Sequence, residues 1–518
     1  MPAKRSLTLA LVLLLVAAIP ARASGFPPIT VVDTINPGPA DATPLWGNGR
    51  LGDYLYFGAD DGINGIELWR TNGTATNLVA NINTHLGSGS APYPFGTLGD
   101  WLYFGADAGT NGRELWRTNG TDTNLVSNIG IDPGSPLDPT SSNPNEFTVL
   151  GDWLYFSADD GVSAGGGVGG HGVELWRTNG TVTQKVDDIQ PGPTGSNPQK
   201  LKVFGEYLYF AADDGTHGNE LWRTNGATTE MFKNLADETA EPDSSNPAFF
   251  TILGNYMYFA ASDGASEHGD ELWRTDGIAA HTEMVKDINT VGDSYPQYLA
   301  EFNGYLYFTA DDGLTSGYEL WRSDGTASGT TLFKDINPGL GWSYPSDFTR
   351  LGTHLYFSAN DGSHGQELWW TDGISGAIEH TALVQDFNLG GGGADGAYPH
   401  GLKAHGDYVY FAVYDGTGGK LARVSDQGVV ESRVIDGTNS WVDCMCSEPL
   451  IPLNGRLFMA THSDETGTEF AYLDEPTWAM PSTDRTSSAS WNAALALLAT
   501  LTASASLALR QRERMKRH

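Results

Sequence analysis

The chain has 518 residues, among them 65 Gly, 26 Pro and 2 Cys, and its 29 Lys and Arg face 63 Asp and Glu, a formal net charge of −34. A hydrophobic share of 40% supplies enough apolar surface for a large core and excludes a wholly disordered acidic chain. Gly without a G-X-Y period excludes collagen, two Cys exclude a disulfide scaffold, and the negative balance excludes sequence-independent nucleic-acid binding, since phosphates need a basic surface.

Residues 1–23 read as an export signal. Lys4 and Arg5 precede an apolar run, Leu9–Ile19, and Ala21-Arg22-Ala23 forms a small-x-small cleavage site before Ser24. Beyond it the chain repeats. Glu-Leu-Trp recurs from Glu67, Glu114, Glu174, Glu220, Glu271, Glu319 and Glu367. Two eroded copies, Lys420-Leu421-Ala422 and Glu469-Phe470-Ala471, bring the number to nine at spacings of 46 to 60 residues. An aromatic or apolar run precedes each copy, from Tyr54–Phe57 and Trp101–Phe104 to Tyr408–Phe411 and Arg456–Met459.

The sixth unit parses into four strands. Phe302 and its neighbours form the first, and Asn303-Gly304 is a two-residue hairpin signal. Tyr305–Ala310 is the second, aromatic-rich and too short for a helix. Asp311–Gly317 loops to a third strand, Glu319–Ser323. Asp324-Gly325 reads as another tight turn, and Thr331–Ile336 is the fourth strand before Asn337-Pro338-Gly339 breaks away. A meander of four strands repeated at about 50 residues predicts an all-β fold, a single β-propeller spanning residues 24–475. Its second strand is apolar on both faces, as a blade sandwiched between neighbours requires. Thr30–Gly38 matches fourth strands such as Leu332–Gly339, while the ninth copy ends after its third strand, Glu469–Leu473. The first segment is therefore expected to complete the last blade and close a ring of nine, with eight blades plus a decayed copy as the alternative.

Glu319-Leu320-Trp321-Arg322-Ser323-Asp324-Gly325-Thr326 resembles the ELWxxDGT repeat of exported bacterial proteins, with Asn72, Asn119, Asn179 and Asn225 standing where other copies have Asp. The resemblance implies a propeller-like fold and export, and no catalytic residue. Seven copies of Glu-Leu-Trp cannot all be active sites, so the motif reads as framework, with Leu entering one blade contact, Trp the other, and Glu bonded to backbone or to the nearby Arg.

Strand direction alternates, so tight turns share one rim and longer loops the other. The latter carry Asp60-Asp61-Gly62, Asp159-Asp160-Gly161, Asp213-Asp214-Gly215, Asp311-Asp312-Gly313 and Asn360-Asp361-Gly362, with Asp237-Glu238 and Glu241-Pro242-Asp243 between blades. Asp60, Asp61, Asp159, Asp160, Asp213, Asp214, Asp311 and Asp312 are candidate Ca²⁺ ligands, as a hard cation wants oxygen donors. The competing reading is turn chemistry, each Asp serving nearby amides. His217, His268 and His364 lie in the same loops. Asn72-Gly73-Thr74, Asn119-Gly120-Thr121 and Asn179-Gly180-Thr181 are glycosylation sequons better explained by turn geometry, because later copies keep the turn and lose the sequon. Gly165–Gly170 satisfies G-x-G-x-x-G without a following helix, and Cys444-Met445-Cys446 lacks partners for a zinc site.

The chain closes on a Ser/Thr-rich spacer (476–490), an apolar stretch Trp491–Leu509 just long enough to span a bilayer, and a basic tail (510–518) expected to stay cytoplasmic. This order resembles bacterial surface-sorting tails, although the Pro-Glu-Pro box is missing. Together these features predict a non-catalytic, surface-anchored binding or adhesion propeller whose partner is an extracellular protein or glycan. The alternative is an extracytoplasmic glycan hydrolase or lyase, which would need unmatched polar residues converging from one or two blades.

Overall fold

The computed structural model describes residues 29–474, apart from 33–34, 37–41, 43–46, 86, 131–140, 162–169, 237–243, 265–267, 375–379, 389–395, 417, 435–449 and 464–466. Residues 1–23, read as an export signal, the spacer, Trp491–Leu509, the basic tail, Cys444–Cys446, Asp237-Glu238, Glu241–Asp243 and most of Gly165–Gly170 lie outside the described residues. Among the described residues no helix is long and apolar enough to cross a membrane.

The strands fall into nine four-stranded antiparallel sheets. The sixth blade consists of Gln297–Phe302, Tyr305–Ala310, Glu319–Ser323 and Thr331–Lys334. Closure takes the expected form. Ile29–Val31 joins the edge of Gly467–Asp474, with Ile29 opposite Leu473, Thr30 opposite Tyr472 and Val31 opposite Ala471, and completes the ninth blade with Ile451–Leu453 and Arg456–Ser463. First strands touch their counterparts in neighbouring blades and form the inner ring. Thr251 Oγ1 donates to the Leu299 carbonyl at 3.1 Å, and Thr349 Oγ1 to the Leu402 carbonyl at 2.9 Å.

The core lies between blades. Because side chains alternate across a strand, Leu102, Phe104 and Ala106 pack backward onto Tyr56, Leu68 and Ile82 of the first blade. Tyr103 faces forward with Leu115 onto Leu154, Phe156 and Ala158 of the third. Leu and Trp of the repeated motif divide as expected, Leu115 going forward and Trp116 backward. Leu55, Leu453, Phe458 and Tyr472 seal the ninth blade against the first. Each such Leu or Phe, fully buried, contributes about 1.5–3 kcal/mol relative to an exposed one.

Two local expectations are corrected. Asn303 and Gly304 are both left-handed (φ 53° and 81°), as a type I′ hairpin requires. Turns after the third strand are different. In the first blade Asn72–Ala75 forms the loop between Thr71 and Thr76, and only Gly73 is left-handed (φ 83°). Asn72 stays in ordinary backbone and its Oδ1 accepts from the amides of Thr74 and Ala75, both at 2.9 Å. The fourth strand of the sixth blade also ends at Lys334, short of Ile336, because the Ile336 and Asn337 amides turn away from the ladder to the Glu319 carboxylate.

A chain lacking the residues up to Val32 leaves Gly467–Asp474 as an open edge. It should melt at a lower temperature and self-associate in size-exclusion chromatography, whereas a chain starting at Ser24 should do neither.

Candidate functional site

Glutamates of the repeated motif are fully buried in the first seven blades. Glu67 accepts from the amides of Ile82 (2.9 Å), Asn83 (3.0 Å) and Ser90 (3.2 Å) and from the Ser90 hydroxyl (2.6 Å). Glu271 repeats the pattern with Ile288 (2.9 Å), Asn289 (3.1 Å) and the Ser294 hydroxyl (2.6 Å). Each carboxylate thus pins the connector that leaves its blade, and the connector's serine is the partner that sequence reasoning missed. In the seventh blade Ala397 stands where the others have serine, and among the described residues Glu367 accepts from the Phe387 and Ala397 amides, at 3.2 and 3.0 Å. Burial raises these carboxyls while the donors oppose it, and Glu220, Glu271, Glu319 and Glu367 rise from 4.5 to about 7.

The motif's arginine is not the glutamate's partner. Three positions along a strand put the two on opposite faces. Arg274 lies over the Tyr256 ring at 4.7 Å, and its Nη1 donates to the Gly325 carbonyl of the next blade at 2.6 Å. Arg177 does the same over Trp153 (4.3 Å) and to Gly226 (2.7 Å). In the eighth blade Lys420 replaces the glutamate and donates to the Asp415 carboxylate.

The acidic loops are knotted into their own turns. Asp60, Asp159, Asp213 and Asp311 each accept from the glycine amide two residues on: Gly62 (2.8 Å), Gly161 (2.9 Å), Gly215 (2.7 Å) and Gly313 (2.7 Å). The second aspartate closes the loop. Asp61 takes the Ile63 and Asn64 amides and the Asn64 side chain at 2.9, 2.8 and 2.7 Å. Asp214 takes the Thr216 and His217 amides and His217 Nδ1 at 2.9, 2.9 and 2.7 Å. Asp160 takes the His171 amide and Nδ1 at 2.8 and 2.5 Å. Asp312 accepts the amides of Leu314, Thr315 and Ser316 and the Thr315 hydroxyl. Burial pushes the Asp312 carboxyl up, but these donors outweigh it and hold it at about 2. His268 and His364 pair likewise with Asp263 (2.6 Å) and Asp361 (2.7 Å). Among the described residues no three His, Cys, Asp or Glu gather into a group able to hold a metal ion.

What the repeat does not account for lies on blades five to eight. The residue before the connector proline is left-handed throughout: Ala91, Asn143, Asn197, Asn246, Tyr295, Tyr344 and Tyr398 have φ between 44° and 50°. Its amide is held by the preceding unit, as Asn246 N donates to the Asn219 carbonyl (3.0 Å) and Tyr344 N to Tyr318 (3.0 Å). Asn suits this backbone and adds a local bond, since Nδ2 of Asn143, Asn197 and Asn246 donates to Ser141, Gly195 and Ser244 carbonyls at 3.2, 3.1 and 3.3 Å. Three connectors instead carry tyrosine, which forfeits that bond, strains the backbone and exposes the ring (41, 44 and 62% for Tyr295, Tyr344 and Tyr398).

These rings connect. Tyr318 stacks on Tyr344 (centroids 5.2 Å, planes 17° apart), with Tyr295 at 6.4 Å and half-exposed Trp342 edge-on to both Tyr318 and Tyr344 at 5.7 and 5.5 Å. Tyr344, Tyr398 and the first-strand Tyr298 line an open recess of about 520 Å³, and Tyr298 meets exposed Phe249 at 6.1 Å. Tyr298 and Phe249 are left-handed too, at φ 55° and 57°. One sequence signal was available: the residue before the connector proline changes from Asn246 to Tyr295, Tyr344 and Tyr398.

No protein-family profile matches the sequence, and no curated protein is significantly similar to it. Solved structures that align with this one include one from a structural and mechanistic study of two prolyl endopeptidases, with 10% identity and a TM-score of 0.38, covering 76% of this chain and 55% of that one. Another is a puromycin hydrolase mutant complexed with PGG, with 12% identity and a TM-score of 0.37, covering 77% and 60%. This chain therefore spans little more than half the length of either protein.

The glutamate staples make stability pH-dependent. The folded carboxyls hold protons that the unfolded chain releases between 4.5 and about 7, so the stability present below 4.5 is lost as pH rises through 7. Thermal unfolding at fixed ionic strength should show a lower melting temperature at about pH 8 than at about pH 5. Ser294→Ala should cost about 1–3 kcal/mol, more at the higher pH, because Glu271 loses its hydroxyl donor. Since turn donors already serve the loop aspartates, a chelator should leave the melting temperature unchanged; a fall of several degrees would assign Ca²⁺ to these loops.

Proposed function

We propose that the protein is an exported, surface-held binding propeller, akin to ELWxxDGT-repeat proteins, that engages an extracellular partner through the aromatic face of blades five to eight without transforming it. The observation that carries this reading is the exchange of Asn for exposed Tyr at Tyr295, Tyr344 and Tyr398, in backbone that penalises a bulky residue. A solvent-facing cluster of Tyr and Trp is what interface cores use, because these rings bury large areas at little entropic cost. The groups with catalytic chemistry are otherwise employed: the buried glutamates pin connectors, and the loop aspartates close turns. The signal at 1–23 and the apolar stretch with its basic end at 491–518 support export and retention at the membrane.

The purified chain should retain an unmodified ligand when screened in parallel on a glycan array and a panel of extracellular proteins, with product release assayed on every hit. Turnover of a retained glycan would replace this reading with that of a hydrolase or lyase.

A further inference from the structure

We infer that the recess between blades six, seven and eight is a subsite for a neutral oligosaccharide, an inference that rests on the binding reading and names its ligand. Three tyrosines surround the recess: Tyr298 from the sixth blade's first strand, and Tyr344 and Tyr398 from the two following connectors. Between them its polar lining is mostly uncharged, with amides of Gln297 and Gln366 and hydroxyls of Ser346 and Ser358. Gln366 Nε2 donates to the Tyr344 carbonyl (3.3 Å) and Ser358 Oγ (3.1 Å), which fixes the amide and leaves its carbonyl oxygen as an acceptor. His400 Nδ1 donates to the Tyr398 carbonyl at 2.6 Å, which fixes the ring at the recess edge, with Nε2 turned away from solvent. The one carboxylate, Asp347, already takes the Gly401 amide on Oδ2 at 2.9 Å.

This chemistry discriminates among ligand classes. An anionic polymer meets a chain of net charge −34 and no Lys or Arg in the recess. A guanidinium or ammonium finds one half-used carboxylate, and a purely apolar ligand would strand the amides and hydroxyls. A polyhydroxylated ring satisfies both halves of the lining: its hydroxyls exchange hydrogen bonds with amide and hydroxyl groups, and its C–H faces lie on tyrosine. Tyr344 also continues outward into the stacked pair with Tyr318 and the edge of Trp342. A ligand seated in the recess can extend over that platform, which suits a chain of sugars better than a monosaccharide.

Isothermal titration of the full chain with neutral gluco-, manno-, xylo- and N-acetylglucosamine oligosaccharides tests the assignment. Tyr398→Asn and Tyr344→Asn install the residue that equivalent connectors carry at Asn143, Asn197 and Asn246, so both variants should fold, with melting temperatures near the parent's. At least one sugar class should bind saturably, and each variant should weaken it roughly tenfold or more. Absence of heat with every sugar, or affinity unchanged in both variants, overturns the inference. An arginine-rich peptide that binds in the sugars' place and is lost in Tyr398→Asn overturns it too, while leaving the binding reading intact. Cleavage of the bound sugar supports the subsite and overturns the non-catalytic reading.

Discussion

A sheet whose central strand is apolar on both sides cannot satisfy itself. In each of the first seven units the second strand sends Leu (Met257 in the fifth), Phe and Ala one way and Tyr the other, as Leu102, Phe104 and Ala106 oppose Tyr103. One blade therefore needs two neighbours, and a row of such blades would leave an apolar face bare at either end. Closing the ring removes both ends at once, and the short strand Ile29–Val31 does this by pairing with Gly467–Asp474. The eroded blades tolerate their lost motifs because neighbours still supply the contact. Ala422 and Leu421 are buried where Trp and Leu stand elsewhere.

Packing fixes the faces of a blade but not the path between blades, and the buried glutamates do that. A carboxylate taken out of water needs donors, and the connector provides them as two or three amides and, in the first six blades, a serine hydroxyl. The same constraint forces the residue after that serine into left-handed backbone, since its amide must reach back to the strand that carries the glutamate. Tyr344 N and Ser343 N both donate to the Tyr318 carbonyl, at 3.0 Å. The device that threads the chain thereby presents one residue per connector outward, in a conformation that only small or Asn-like residues adopt cheaply.

The propeller and its closure were legible because they rest on local signals: aromatic runs too short for helices, Gly-bearing turns, and a first segment that matches fourth strands. The strand ends were not. Whether Ile336 continues the ladder is decided by Glu319, 17 residues away in sequence, as the hydrogen bond from its amide shows. The loop aspartates were correctly placed on turns, but their closing partners, Asn64, His217 and Thr315, vary in type and so left no pattern. The tyrosines escaped notice for a sharper reason. A residue before proline is expected to be extended, so a Ser-Tyr-Pro connector looks unstrained in sequence; the cost appears only once the amide network imposes φ near 45°.

Because nine-fold repetition accounts for so much of the chain, departures from it carry the information about recognition. A repeated feature is under the common demand of building a blade, and the acidic turns and glutamates answer that demand in copy after copy. The rings of Tyr344 and Tyr398 are not part of that repeated answer, and the Tyr295 ring meets it only through its bond to Asp293. Each tyrosine gives up the local bond that Asn143, Asn197 and Asn246 make, and each leaves a large ring in solvent. Folding alone would favour Asn at all three positions, so the residues that replace it mark where the scaffold yields stability to contact with something outside the chain.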